Sequence, residues 1–308
     1  MPPITETESV AGGGKAVRIE RILCPVDFSD IAAKAYCYAQ SIAARYRAQL
    51  IAHHVVELEL HPSAYYQAEL DFFEDYRRTL VSNAKEQLRK FVDLYGGVEP
   101  ECVVEESSAP DAILAMAQAR GINLIVMGTH GRRGFDHLLL GSVTERVLRR
   151  APCPVLAIPG KASAESGKSL SADPVDLRRI LCCVDFSAHS QRALDHAFSV
   201  ARAYNAEVTV LHVLDNISEA TDVGIETNAS LDKLQKLVAA RTPDPAKVDL
   251  QVRLGRAYRE ILDLAAEKQP DLIVTGVRGR NSLDLAVFGS TTYRVIQLYP
   301  GPVLTVPI

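Results

Sequence analysis

Residues 124–158 read LIVMGTHGRRGFDHLLLGSVTERVLRRAPCPVLAI, and this stretch decides the fold. An apolar strand pattern ends in a loop that contains Gly128 and Gly131. Nine residues later, Gly141-Ser142 opens a helix pattern. A glycine loop between an apolar run and a helical run is typical of a strand-turn-helix unit.

The same unit returns at residues 272–306, LIVTGVRGRNSLDLAVFGSTTYRVIQLYPGPVLTV. There Gly276 and Gly279 stand two residues apart, and Gly289-Ser290 follows after nine more residues. A plain turn between a strand and a helix is the alternative interpretation of either copy. Because the pattern G-x2-G-x9-G-S occurs in both halves, we favour a repeated functional loop.

The pattern points to an anion-binding site. A strand that leads through a glycine loop into a helix gathers unpaired backbone N–H groups at one place, and the helix dipole there favours negative charge. We expect Gly128 and Gly131 to adopt positive φ or to admit a bulky group, and Ser142 and Thr144 to offer hydroxyl donors. Phosphate is the predicted ligand group.

Composition excludes several classes of protein. The chain has 308 residues, with 34 basic and 38 acidic side chains and a net charge of −4, which gives no electrostatic reason to expect nucleic acid or an acidic membrane surface. The longest apolar runs, such as residues 122–127, are far shorter than the roughly 20 residues of a membrane span. Since the first residues also lack the apolar core of a signal peptide, we expect a cytoplasmic protein.

The six cysteines show no metal-binding or disulfide pattern. None has CxxC spacing, and most stand in apolar strand patterns, so we expect reduced packing residues and no metal site. Cys182 and Cys183 are neighbours on a strand and should face opposite ways. His53 and His54 should do the same, which excludes their binding one metal together.

Each half reads as β-α-β-α-β-α-β-α-β, with Ser29 and Ser187 as predicted caps of the first helix. This order predicts an α/β fold of two repeated domains, each a five-stranded, mostly parallel sheet with helices on both faces. In the second half we expect a polar loop over 216–230 before a helix near 231–240.

The domain boundaries follow from composition. Residues 1–17 form a predicted disordered lead-in, 18–159 the first domain and 177–308 the second. The stretch 160–176 is rich in Ser, Ala and Gly and lacks apolar periodicity, so it is the predicted linker.

Several short motifs resemble the universal stress protein family. They are CPVDFS, HHVVE, MGTHG, GSVTERV and APCPVLAIP in the first half, and CCVDFS, LHVLD, TGVRG, GSTTYRV and GPVLTVP in the second. The chain is similar to a tandem member of the ATP-binding branch of this family. The resemblance implies a Rossmann-like fold of the adenine-nucleotide α-hydrolase type.

The resemblance also implies which first-half residues meet the nucleotide. Asp27 would contact the adenosine, Val55 would line the adenine pocket, and the loop and following helix start would surround the phosphates. The first-half positions are Pro25, Val26, Asp27, Val55, Met127, Gly128, His130, Gly131, Gly141, Ser142, Val143 and Thr144. Asp27 has the simpler interpretation of a helix cap.

The second half keeps the acid, the glycines and the serine but departs elsewhere. Thr275 replaces Met127, and Arg278 stands where His130 does. Arg278 either adds a bidentate phosphate contact or folds onto Asp185 and fills the pocket. The second-half positions are Val184, Asp185, Val213, Gly276, Arg278, Gly279, Gly289, Ser290, Thr291 and Thr292.

The resulting hypothesis is a stress-response module that binds ATP, with Mg²⁺ held by the phosphates where it is present. The two halves would pair through their last strands as an internal pseudo-dimer, and a homodimer and an unidentified protein partner are further expectations. The competing hypotheses are a slow ATPase or related enzyme and a nucleotide-free scaffold. The chain lacks a Walker GxxxxGK[ST] loop, an SGGxDS loop and a HIGH motif, so we assign no catalytic residue.

Overall fold

The structure is a computed structural model that describes residues 17–57, 67–130, 140–160, 175–215, 222–242, 244, 247–278 and 289–308, with only the backbone for 67–73. The first half has the elements β1 Arg21–Pro25, α1 Asp30–Tyr46, β2 Gln49–Val56, α2 Gln67–Asp93, β3 Glu101–Glu106, α3 Ala109–Ala119, β4 Leu124–Gly128, α4 Ser142–Arg150 and β5 Val155–Ile158. This sequence of elements confirms the predicted order.

The second half repeats the order. Its elements are β6 Arg179–Cys183, α5 Ala188–Tyr204, β7 Glu207–Leu214, α6 Val223–Ala239, β8 Val248–Leu254, α7 Ala257–Lys268, β9 Leu272–Gly276, α8 Ser290–Leu298 and β10 Val303–Val306. The α/β class with two repeated halves is therefore confirmed.

One ten-stranded sheet runs through both halves in the order β3-β2-β1-β4-β5-β10-β9-β6-β7-β8. Paired strands within each half are parallel, whereas β5 and β10 pair antiparallel. The register places Leu156 opposite Leu304, with Val155 opposite Thr305. The two last strands thus form the predicted internal pseudo-dimer, and they lie about a local two-fold axis.

Segments that precede the first strand of each half cross to the other half. The backbone N–H of Val175 donates to Ser41 Oγ in α1 at 2.8 Å, and Ser199 Oγ in α5 donates to the Val17 carbonyl at 3.3 Å. Arg45 Nε donates to the Ala203 carbonyl at 2.7 Å. These reciprocal contacts bring α1 and α5 together across the local axis.

Apolar side chains form a core on each face of the sheet. Leu23 packs on one face and Cys24 on the other, and Cys183 and Cys182 follow the same alternation. All six cysteines are free thiols, as predicted. Burial raises the pKa of the Cys183 thiol to about 12, so this thiol stays protonated and acts as a packing group.

Helix starts follow the predicted capping rules, with one correction. Ser29 Oγ accepts the Ala32 N–H and Ser187 Oγ accepts the Ser190 N–H, both at 3.2 Å. The prediction of a loop over 216–230 was wrong for its second part, because α6 begins at Val223 behind a cap from Asp222. Ile225 in its first turn is 68% exposed, so the apolar residues there do not extend the buried stripe that marks the rest of the helix.

None of the helices in the described part of the chain has the length and apolar character of a membrane span.

Candidate functional site

The strand order creates the same crevice in each half. The chain leaves β1 toward β2 on one side, while β4 lies on the other side of β1 and continues to β5. Ligands bind in parallel sheets outside the carboxyl ends of strands at such a switch point. Asp27 and Gly128 lie at the carboxyl ends of β1 and β4, and Asp185 and Gly276 lie at the equivalent ends of β6 and β9.

Both acids are held by the serine that caps the next helix. Asp27 Oδ1 accepts the Ser29 N–H at 3.0 Å and the Ser29 hydroxyl at 2.6 Å. Asp185 Oδ1 accepts the same two groups of Ser187 at the same distances. The predicted role in the helix cap is therefore real, and it fixes each carboxylate at the mouth of the crevice.

The residues after the acids have an unusual backbone. Phe28 and Phe186 have φ of 63° and 64°, the left-handed region that bulky residues rarely adopt. Such a conformation costs on the order of 1–3 kcal/mol and persists only where surrounding contacts impose it. This strain turns the chain sharply between the end of β1 or β6 and the serine cap.

A histidine from the neighbouring strand clamps each strained turn: it packs on the phenylalanine and bonds a carbonyl near the strand end. The sequence analysis did not predict this contact. The Phe28 and His54 ring centroids are 4.5 Å apart, and His54 Nδ1 lies 2.7 Å from the Val26 carbonyl. His212 makes the same pair with Phe186, and its Nδ1 lies 2.7 Å from the Val184 carbonyl. Because a carbonyl only accepts, Nδ1 carries the proton in both rings. The repeated histidine in HHVVE and LHVLD was the available signal.

The glycines at the strand ends act by close packing. The expectation of positive φ was wrong for Gly128, and Gly276 does not lie in that region either. A Cβ on Gly128 would lie 2.5 Å from Ile31 Cγ2, and a Cβ on Gly276 would lie 2.8 Å from His189 Cβ. Glycine thus lets the first helix approach the strand end. Gly131 and Gly279 lie outside the described residues.

The start of α4 closes tightly on the end of β4. Gly141 is the N-cap and donates its N–H to the Thr129 carbonyl at 2.8 Å. Gly289 makes the equivalent bond to Val277 at 3.1 Å before α8. No side chain among the described residues caps either helix, unlike α1 with its Ser29 cap. The first-turn amides of α4 and α8 are the groups that the sequence analysis predicts for anion binding, and this role stays a prediction.

The first-turn hydroxyls divide into two kinds. Ser142 and Val143 occupy the first two positions of α4, as Ser290 and Thr291 do in α8. The predicted donation of the Thr144 hydroxyl to a phosphate is not what the structure shows, because this buried group donates to the Gly128 carbonyl at 2.8 Å.

Thr292 likewise donates to the Gly276 carbonyl at 2.9 Å. Both threonines therefore tie the helix start to the strand end.

Other predicted residues reach the site by their backbone. Val26, Val184 and Met127 are at most 4% exposed, so their side chains belong to the core. Pro25 ends β1 opposite His53.

Two valines lie one strand further out. Val55 and Val213 are partly buried near the carboxyl ends of β2 and β7, beside β1 and β6. The crevice therefore has an apolar side on these strands and a polar side at the helix starts.

Charged and polar groups differ between the halves. His130 Nδ1 lies 2.9 Å from Thr129 Oγ1. In the second half, burial lowers the pKa of His189, the charges of Arg278 and Arg192 lower it further, and Asp185 opposes them. These four side chains therefore cluster at the end of β9. Across the described ranges, no group of His, Cys, Asp and Glu is arranged to hold a metal ion.

Comparison with known proteins identifies the two halves. The model of the universal stress protein family matches residues 18–159 and again 176–307. Universal stress protein Rv2005c of Mycobacterium tuberculosis is 26% identical over 295 residues, which cover 92% of this chain and 95% of that protein. Universal stress protein MJ0531 of Methanocaldococcus jannaschii is 30% identical over 139 residues, 45% of this chain and 81% of that protein.

The fold is also found among solved structures. A universal stress protein from Archaeoglobus fulgidus superposes with a TM-score of 0.66 at 21% identity, covering 93% of this chain and 98% of that one. At this identity the match supports the fold alone. Two consecutive family domains in one α/β sheet are thus established.

Proposed function

The chain belongs to the universal stress protein family as a tandem member, and from this premise we propose that it binds ATP and acts as a nucleotide-dependent binding or signalling module of the stress response. The observation that carries the proposal is the start of α4. Its first-turn amides lie at the carboxyl end of β4, with Gly141 closed onto Thr129 and no side-chain cap among the described residues. Such a helix start attracts phosphate.

The adenosine would lie across the ends of β1 and β2. Asp27 is fixed there by two bonds from Ser29, and the strained Phe28 turn with its His54 clamp keeps the carboxylate in place. Val55 supplies an apolar wall for the base. A preorganised acid beside an apolar wall is the usual design of a small-molecule site.

The phosphates would extend toward α4. The main-chain N–H groups of Ser142, Val143 and Thr144 and the side chain of His130 are the candidate donors. Mg²⁺, where present, would be held by the phosphates. Binding changes the protein's partners only to the extent that ATP prefers one conformation.

The second half carries the same cradle. Asp185, Val213, Gly276, Gly289, Ser290 and Thr291 take the equivalent places, and Arg278 replaces His130. The two positions proposed for Arg278, on a phosphate or on Asp185, predict opposite effects of its removal on binding. A cytoplasmic location and a homodimer stay predictions of the sequence.

Analysis of the purified full chain tests the proposal. Denaturation should release an adenine nucleotide, or calorimetry should show ATP binding with and without Mg²⁺. Steady multiple turnover of ATP would instead favour the enzyme hypothesis. Absence of both bound nucleotide and calorimetric response would favour the scaffold and contradict the proposal.

A matched glycine pair locates the site. A Cβ at Gly141 would lie 3.2 Å from the Thr129 carbonyl oxygen, so Gly141→Ala should disturb the helix start and weaken ATP binding to the first half about tenfold. Gly224→Ala is the control for the first crevice, because its Cβ would also meet an oxygen, Asp222 Oδ1, at 3.2 Å, but in a helix start of the second half. Equal affinity in the two variants would contradict the site.

A further inference from the structure

The two crevices share one frame, so their differences are informative. Each acid accepts the same two bonds from its serine, and each first-turn threonine bonds the strand-end carbonyl. The side chains around this frame differ in size, polarity or charge. The pairs that differ are Ile31 and His189, Lys34 and Arg192, His130 and Arg278, and Glu145 and Tyr293.

The first difference lies where the first helix meets the strand end. In the first half, Ile31 fills this space, because a Cβ on Gly128 would lie 2.5 Å from Ile31 Cγ2 and one on Gly160 would lie 2.8 Å from Ile31 Cδ1. In the second half, His189 occupies the same place over Gly276. An apolar side chain is thus exchanged for a histidine, whose Cβ and main chain lie against Gly276 and whose imidazole can donate a hydrogen bond.

The second difference is the number of basic groups. Arg278 lies two residues beyond Gly276, and both Arg278 and Arg192 are near enough to lower the pKa of His189. The first half has Lys34 here, whose pKa burial lowers and whose Nζ lies 3.5 Å from the Pro159 carbonyl.

The third difference lies in the helix that would face the phosphates. The first turn of α4 carries Glu145, which accepts a bond from Arg149 at 2.6 Å. The first turn of α8 has no acid, since Tyr293 takes this place. A carboxylate in a first turn competes with a bound anion for the positive end of the helix dipole.

We propose that the second half holds the more anion-selective of the two sites and takes the ligand with the longer phosphate chain, a nucleoside triphosphate ahead of a monophosphate, with Arg278 and His189 as the residues that set this preference. The inference rests on the proposed nucleotide function. Among the described side chains, two guanidinium groups and one carboxylate lie around the second crevice, whereas one ammonium group and two carboxylates, one of them paired with Arg149, lie around the first. A guanidinium also pairs with phosphate through two parallel bonds.

Calorimetry on the full chain with AMP, ADP and ATP, without Mg²⁺, tests the preference. Asp27→Ala isolates the second site and Asp185→Ala the first. We expect the ratio of ATP to AMP affinity to be about tenfold larger at the second site, because one additional charge-assisted hydrogen bond changes the affinity by about this factor. Affinity there should also fall more steeply with added KCl, because more charge is screened.

Exchange variants assign the effect to residues. Arg278→His with His189→Ile should bring the ATP to AMP ratio of the second site to that of the first, and His130→Arg should raise the ratio in the first. Arg278→Lys is the charge-matched control and should keep most of the salt dependence. Circular dichroism and thermal unfolding identify any variant that fails to fold.

The outcomes separate the two proposals. If neither half binds any nucleotide, the proposed function and this inference both fail. The inference is overturned while the function stands if both halves show the same ratio of ATP to AMP affinity and the same salt dependence. The same conclusion follows if the first half binds nucleotide and the second half does not.

Discussion

The two halves are most alike in the hydrogen bonds that join each strand end to the next helix start, and they differ most in the side chains that face the crevice. The distances from the acid to its serine agree to 0.1 Å in both halves, as do the distances within the Phe28 and His54 pair and its counterpart, Phe186 and His212. The side chains at positions 31 and 189 share neither shape nor polarity. The frame is therefore common, and the two halves differ by a few substitutions upon it.

This contrast explains why the glycines recur. Gly128 and Gly276 each admit a neighbouring helix, and Gly141 and Gly289 each admit the turn that precedes it. Packing of this kind depends on main-chain geometry, so it tolerates a change of neighbour from isoleucine to histidine. The cradle thus keeps its form while its charge changes.

The largest expected effect is a response to acid, and in the first half it comes from His53. His53 is fully buried, and burial lowers its pKa from 6.5 to about 4, with a smaller contribution from His54. Glu105 Oε2 lies 3.5 Å from His53 Nε2, but burial outweighs this attraction. The second half has Leu211 at the equivalent position.

Unfolded His53 takes up a proton near pH 6.5 and folded His53 only near pH 4, so the unfolded state gains protons first. Stability is full above pH 6.5 and falls by about 3 kcal/mol as the pH drops toward 4. Urea unfolding between pH 7 and pH 4 should show that His53→Leu reduces this loss. An unchanged pH profile would contradict a neutral buried His53. His196, whose pKa burial also lowers to about 4, keeps part of the acid sensitivity in the variant.

The next effect distinguishes the two strand-end glycines. A Cβ on Gly276 would meet the main chain of α5, with His189 C at 3.0 Å and Ser190 N at 3.1 Å, whereas the tightest contact of one on Gly128 is the Ile31 side chain. A backbone cannot move as a methyl group can, so Gly276→Ala should cost about 3 kcal/mol and Gly128→Ala about 1–2 kcal/mol. Urea unfolding of each full-length variant measures both costs.

A second substitution sharpens this prediction. Ile31→Ala should restore much of the stability lost in Gly128→Ala, because it removes the clashing methyl groups. His189→Ala should restore little in Gly276→Ala. Equal recovery in both halves would show that the two glycines have the same role.

The smallest effect concerns the first turns of α4 and α8. Tyr293→Glu places an acid where Glu145 stands in the first half, and it should weaken anion binding to the second half by about 0.5 kcal/mol, or roughly twofold. Tyr293→Gln is the uncharged control. Calorimetry with ATP in the Asp27→Ala background measures the change, and a loss of similar size in both variants would argue for a lost ring contact.

Much of the fold followed from the sequence because its signals are local. Apolar strand runs, serine caps and the repeated glycine spacing each depend on neighbouring residues. The start of α6 was missed because the apolar residues of its first turn, Val223 and Ile225, are exposed, and the buried residues of the helix begin only at Ser230. The positive end of α4 was predicted correctly from Gly141 alone.

What the sequence did not reveal depends on contacts between distant residues. The need for glycine at 128 comes from Ile31, and nothing near Gly128 in the sequence indicates it. The clamp by His54 joins residues 28 positions apart, as does the clamp by His212. The Thr144 hydroxyl likewise donates to the carbonyl of Gly128, which lies 16 positions earlier at the end of β4. Such pairings become visible only once the strands are placed side by side.

The count of ATP molecules bound per chain is the most direct measure of two nucleotide cradles built on one sheet. Equilibrium dialysis of the full-length protein should give two. At the lowest ATP concentration that fills both sites of the unmodified chain, either Gly141→Ala or Gly289→Ala should lower the count toward one. Binding of two ATP molecules at that concentration to the variant carrying both substitutions, or of none to the folded unmodified chain, would contradict the account.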